Sequence, residues 1–319
     1  INKVLAMNKT LWFFLKIALS TALTWYLLRD IESVEILKSG RSLNLLFLLL
    51  AFFQLLIHFI IVSWRWGIVL RALDERIPIK MLLKISYISI FFNQVLPASI
   101  GGDVVRIYMI RDLKVSLLKA FNSTVIDRIA SLISIALMIL VTSPLLFNKI
   151  ISTRFSLFII LGTLISLVGF FALFYLDKFL YFFRNKNIIK KFLEIYPDVR
   201  RTFYIKSNSF PLLFVSTLGN INLSIAIYFI SKSLGIEISI INCIILFPPV
   251  LLLASIPISF AGWGIREGAM VTAFSYVGVN ETSALTISMF FGLLSVIVNL
   301  PAGLFWAVTK KNNFLNLIY

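Results

Sequence analysis

Cysteine and histidine each occur once in 319 residues, as Cys243 and His58. One thiol cannot form an intrachain disulfide, and a metal centre built on Cys and His has no ligand set. Acidic side chains are also few, 14 against 30 Lys and Arg, for a formal net charge of +16. No acidic or His cluster offers a nucleophile with its base, or a metal cage, so no catalytic residue, metal or cofactor is expected and the chain is not read as an enzyme. Long polar stretches are missing as well, which leaves no room for a soluble domain between the apolar runs.

What is present is apolar. Hydrophobic residues make up 60% of the chain and charged ones 14%, in successive runs near twenty residues, the length that crosses a hydrocarbon core of about 30 Å. The expected fold class is an all-α polytopic membrane protein, with residues 1–319 as one integral membrane domain. Full transmembrane helices are expected at Leu11–Leu28, Leu43–Trp64, Ala120–Thr142, Phe155–Leu176, Phe210–Ile230 and Ser283–Thr309. The first resembles a signal peptide, but its apolar run continues through Trp25, Tyr26 and Leu28, so it is read as a retained anchor.

Much of the Lys and Arg falls in the expected loops, where it records orientation and contact with anionic lipid rather than nucleic acid. The expected loop Arg65–Lys84 is basic and is placed in the cytoplasm. So is segment 177–206, whose Lys and Arg are interleaved with Phe179, Tyr181, Phe182, Phe183, Phe192 and Tyr196; this pattern reads as an interfacial segment on anionic headgroups. Both termini then lie in the cytoplasm, and the expected location is the cytoplasmic membrane of a prokaryote.

One stretch occurs twice. Pro97-Ala98-Ser99-Ile100-Gly101-Gly102-Asp103-Val104-Val105-Arg106 returns as Pro257-Ile258-Ser259-Phe260-Ala261-Gly262-Trp263-Gly264-Ile265-Arg266, with Pro, Ser, Gly and Arg each repeated at a spacing of 160 residues. Pro and Gly pairs break helices, and broken backbone inside a bilayer survives only where protein or a water-filled cavity satisfies it. The arm Ile85–Leu96 has twelve residues, roughly 18 Å, too short to cross. Two re-entrant helical hairpins are therefore expected, 85–110 and 240–278. Three full crossings separate them, so they are oppositely oriented, as in inverted repeats that place a substrate site between broken helices.

Arg106 and Arg266 each follow a tip at the start of a helical arm, where open N–H groups and the helix dipole favour an anion. Arg offers a planar fork suited to phosphate. Asp127 and Arg128 lie eight and nine residues past Lys119, near mid-bilayer, where each charge costs roughly 2.5–3.5 kcal/mol unless it faces protein or water. Asp127 serves either as an ion-pair partner, for instance of a hairpin Arg, or as a counter-ion to an empty phosphate site. Asp103 reads as a helix cap and Glu267 as a partner of a neighbouring Arg. Asn93 precedes the first tip. The candidate substrate-binding set is Arg106, Arg128, Arg266, Asp127, Glu267, Asn93, Ser99, Gly101, Gly102, Ser259 and Gly262.

The run Asn93–Arg106, the pair Asp127-Arg128 and the later Gly262-Trp263-Gly264-Ile265-Arg266-Glu267-Gly268 resemble the lysylphosphatidylglycerol synthase transmembrane family, also described as flippase-like. The resemblance covers most of the chain and implies an integral membrane lipid flippase domain, fused in some members to a soluble aminoacyl-transferase. This chain is expected to be a stand-alone member without that domain. The family pattern carries an Arg in the last span where this chain has Phe290-Phe291-Gly292, a departure that lowers the charge the second half brings.

The leading expectation is a flippase-like transporter that moves a phosphate-bearing lipid, a phospholipid or a polyprenyl-phosphate carrier, between leaflets. The alternatives are an ion-coupled small-solute transporter and a membrane subunit or enzyme of lipid-linked glycan or aminoacyl-lipid synthesis. Expected partners are membrane lipids, anionic ones foremost, with a lipid-modifying enzyme and a second copy of the chain as further candidates.

Overall fold

A computed structural model describes residues 43–95, 101–149, 164, 187–256 and 263–309. The described residues form helices and no strand. In chain order the helices are α1 (Leu45–Ala72), α2 (Ile79–Val95), α3 (Gly101–Arg111), α4 (Leu117–Lys149), α5 (Asn187–Tyr204), α6 (Lys206–Ser233), α7 (Ile240–Ala254), α8 (Ile265–Ser275) and α9 (Glu281–Thr309).

Length and composition single out four of these as able to cross a membrane, over Leu45–Ala72, Leu117–Leu145, Ser207–Ser233 and Glu281–Gly303. They correspond to four of the six expected spans. The other two, Leu11–Leu28 and Phe155–Leu176, lie outside the described residues apart from Leu164. The 15-residue α7 is apolar but shorter, about 23 Å against the 30 Å of a hydrocarbon core.

Two expected boundaries are corrected. The second span does not stop at Trp64, because α1 continues to Ala72 and takes Arg65 and Arg71 out of the expected loop. Nor does the first hairpin arm begin at Ile85; α2 starts at Ile79 and has 17 residues, about 26 Å. The connection is only residues 73–78. Charge misled the reading in both places: Lys80 is exposed in the first turn of α2, where a long side chain reaches water without ending a helix, whereas Arg65 is buried against a partner.

Asp74 ends α1 in the left-handed region at φ 64°, and Glu75 N–H donates to Leu70 O at 2.9 Å, which satisfies an end carbonyl. After α2 and α3 the chain comes back to this turn. Lys119, in the first turn of α4, places its Nζ 2.8 Å from Glu75 Oε1. The end of α5 arrives there too, with Arg201 paired to Asp74.

The described residues divide into two compact units, 43–56, 85–95, 101–105, 223–256 and 263–309 in one and 57–84, 106–149, 164 and 187–222 in the other. In the second unit Ile68 and Val69 of α1, and Leu73 just after it, pack with Ile126, Ala130 and Ile133 of α4, Val199 and Phe203 of α5, and Leu212 and Val215 of α6. In the first, α8 packs against α7 and α9, and Phe247 meets Phe291 edge to face at 5.6 Å. Asn44 N–H donates to Ser233 O at 2.9 Å, and Phe47 stacks on Phe229 at 6.3 Å. Small residues let helices approach where lipid supplies no hydrophobic drive. A Cβ on Gly303 of α9 would come within 2.5 Å of the Phe91 ring of α2.

Candidate functional site

Among the described residues, each unit holds one buried charged centre. In the second unit it is built on Asp127, ten residues into α4 and 2% exposed. Arg65 of α1 grips it with two bonds, Nε to Oδ1 at 2.7 Å and Nη2 to Oδ2 at 3.0 Å. Arg106 of α3 adds a third, Nη1 to Oδ2 at 3.1 Å. The Arg106 guanidinium also lies 5.1 Å from the Trp66 ring centroid, a cation–π contact that strengthens when desolvated. Trp66 is itself fixed, since its Nε1–H donates to Ser123 Oγ at 3.2 Å. Two guanidiniums share one carboxylate, so this buried group carries one positive charge in excess.

The first unit's centre is built differently. At the start of α8 Gly264 has φ 84°, a conformation that excludes most side chains, and its N–H donates to Glu267 Oε2 at 2.5 Å. Glu267 is wholly buried and receives three further bonds on Oε1: Arg266 Nε at 3.1 Å, Arg266 Nη2 at 2.5 Å and Ser288 Oγ of α9 at 3.1 Å. Arg266 Nε also reaches Ser288 Oγ at 3.1 Å. The guanidinium lies between Trp263, at 4.8 Å, and Phe291, at 5.5 Å. Here one Arg meets one Glu, and the charges cancel.

Between α2 and α3, Gly102 N–H donates to Asn93 Oδ1 at 2.8 Å. The approach is so close that a Cβ on Gly102 would stand 2.2 Å from Ser89 O and 2.7 Å from Asn93 Oδ1. The start of α3 is thus held against the end of α2. The sequence profile of the lysylphosphatidylglycerol synthase TM region matches residues 13–303. The chain belongs to that family. A UPF0104 membrane protein of Methanothermobacter thermautotrophicus is 22% identical over 308 residues, covering 86% of this chain and 86% of that protein.

Of the family-motif residues chosen from sequence, Arg106 and Asp127 come together, Arg266 and Glu267 come together, and Asn93 meets Gly102. Gly101, buried, opens α3. Arg128 is half-buried and has contacts of its own. One residue on from Asp127, it leaves α4 about 100° around the helix. Ser99, Ser259 and Gly262 lie outside the described residues. The departure at Phe290-Phe291-Gly292 is now concrete: the Phe291 ring flanks Arg266, and a Cβ on Gly292 would fall 2.6 Å from Arg266 Nη2.

Arg65 and Ser288 escaped the sequence reading. Arg65 was counted as a loop cation, although the apolar Gly67-Ile68-Val69-Leu70 directly after it argues that the helix goes on. Ser288 had no signal beyond being a hydroxyl in an apolar span. The aromatic shelves, Trp66 and Trp263, were likewise missed; each stands beside or close to an Arg that needs a partner.

Proposed function

We propose that this integral membrane protein is a flippase-like transporter of a phosphate-bearing lipid, a phospholipid or a polyprenyl-phosphate carrier, whose acyl chains stay in the bilayer while the headgroup changes leaflet. No bond is made or broken in this reading. The observation that carries it is the excess positive charge of the Arg65–Asp127–Arg106 group. A cation inside apolar helices costs several kcal/mol unless it is paired, and a phosphate oxygen on the Arg106 fork supplies the missing negative charge with charge-assisted hydrogen bonds. Asp127 holds the two guanidiniums in place while the site is empty. Arg266, already matched by Glu267, contributes less attraction and more rigidity.

The topology that goes with this reading has six full spans and two oppositely oriented re-entrant hairpins, 85–110 and 240–278, in a prokaryotic cytoplasmic membrane with both termini inside. The apolar α7, too short for a full crossing, and the bond from Gly102 N–H to Asn93 Oδ1, which ties α3 back to α2, support it. The test is headgroup flipping by the purified chain in liposomes, read by leaflet-specific labelling. Arg106→Lys is expected to fold, since one N–H suffices for its bond to Asp127, and to move lipid at least about tenfold more slowly, because an ammonium lacks the planar fork. Wild-type flipping by Arg106→Lys, or transport of water-soluble anions with no lipid movement, overturns the reading.

A further inference from the structure

The α5–α6 junction carries a second feature that the charged centres do not use. α5 presents one edge to the bundle: Val199 and Phe203 enter the second unit's core, Asp198 accepts from Asn122 Nδ2 at 2.6 Å, and Arg201 pairs with Asp74. Its other edge is thereby fixed outward. There Tyr196, Pro197, Arg200 and Tyr204, with Arg201 at the border of the two edges, line an open cleft of about 400 Å³. Arg201 is matched by Asp74, but among the described residues no carboxylate pairs with Arg200, which is exposed and lies 5.3 Å from the Tyr204 ring. The cleft therefore carries one positive charge in excess.

Three residues past Tyr204 the membrane-spanning part of α6 begins at Ser207, so the cleft stands at the membrane surface. The first turns of α6 form another outward groove, of about 770 Å³, lined by Ser207, Ser209, Phe210, Leu213, Phe214 and Thr217. Phe210 and Phe214 are stacked at 6.2 Å and are 74% and 54% exposed. A cationic, aromatic cleft at the surface, followed along the chain by an apolar groove running into the bilayer, has the order of polarity of a phospholipid: phosphate first, then acyl chain. We propose that this edge binds one anionic phospholipid of the surrounding leaflet, its phosphate on Arg200 and an acyl chain against Phe210 and Phe214, as a site separate from transport.

The test uses the full chain in phosphatidylcholine nanodiscs doped with phosphatidylglycerol carrying a photoreactive acyl chain, and a matched phosphatidylcholine probe, with adducts mapped by mass spectrometry. Phosphatidylglycerol adducts are expected on residues 207–217 at about fivefold the phosphatidylcholine level, the ratio that roughly 1 kcal/mol per surface cation gives. Arg200→Gln should bring them down to that level, Arg200→Lys should largely keep them, and Arg106→Lys should leave them unchanged even though it slows flipping. Equal labelling by both probes, absence of adducts on 207–217, or indifference to Arg200→Gln overturns the proposal. Loss of flipping without any of these results concerns the transport site alone.

Discussion

Asp127 shows at the scale of one residue why counting bonds matters. Asp127→Asn leaves Arg65 and Arg106 buried without their carboxylate, and the expected cost is about 3–5 kcal/mol of stability, read as a lowered midpoint in denaturant or thermal unfolding. The two arginines are not equivalent. Arg65 makes two bonds and Arg106 one, so Arg65→Lys should cost about 1.5–3 kcal/mol for the lost charged bond while Arg106→Lys is nearly neutral in unfolding. An equal loss from both would show that the bidentate grip is unimportant. Gly102 is limited by space instead. Its alanine variant puts a methyl 2.2 Å from a backbone oxygen, which must displace α3 from α2; a loss of about 1–3 kcal/mol is expected, and unfolding at the wild-type midpoint would contradict it.

At the scale of one element, the attachment of α5 through Arg201 is expected to depend on pH. The hydrogen bond from Arg201, and its charge, lower the Asp74 carboxyl from its ordinary value of 3.8. A depressed carboxyl contributes stability that is complete above 3.8 and is lost as pH falls through the lower folded value. Wild type and Arg201→Gln should therefore differ in thermal midpoint at neutral pH and draw together as the pH falls below 3.8 and through the lowered Asp74 value, with the gap also narrowing in high salt because both groups are exposed. A gap that does not narrow at all on acidification would place the role of Arg201 elsewhere. The helix itself was readable in part: the basic and aromatic pattern marked 177–206 as one unit, and α5 fills 187–204 of it. That Val199 and Phe203 dock on protein was not readable, because an apolar edge looks the same whether it faces lipid or a neighbouring helix.

For the whole molecule, the order of sidedness can be checked directly. Single cysteines at Glu75 and Lys114, in a chain with Cys243→Ala, are expected to react from one face of the membrane, and cysteines at Glu237 and Gly278 from the other. Labelling of 75 and 114 from opposite faces would rule out the first hairpin. How much of this architecture the residues announced depended on polarity contrast. Apolar runs located the four described spans, and the repeated Pro, Gly and Arg pointed to the intervals between α2 and α3 and between α7 and α8, since such residues have few other uses in a bilayer. Helix ends were misjudged where charge and helicity coexist, as at Arg65, Lys80 and Lys84. The pairing of Arg65 with Asp127, 62 positions apart, could not be read, because complementary charge names the type of a partner and not its address.

The unequal charge of the two buried centres has an electrical consequence. In the proposed transport cycle a singly negative headgroup would neutralise the Arg65–Asp127–Arg106 group, so the loaded form would cross the membrane field without net charge. The empty form keeps its positive charge, and any movement of that group across the field is worth about 2.3 kcal/mol per elementary charge per 100 mV for full traversal. Voltage should then act on the return step and not on the carrying step. In liposomes with an imposed potassium diffusion potential, net flipping of an anionic lipid is expected to change with potential, while exchange between leaflets that already contain the lipid stays constant.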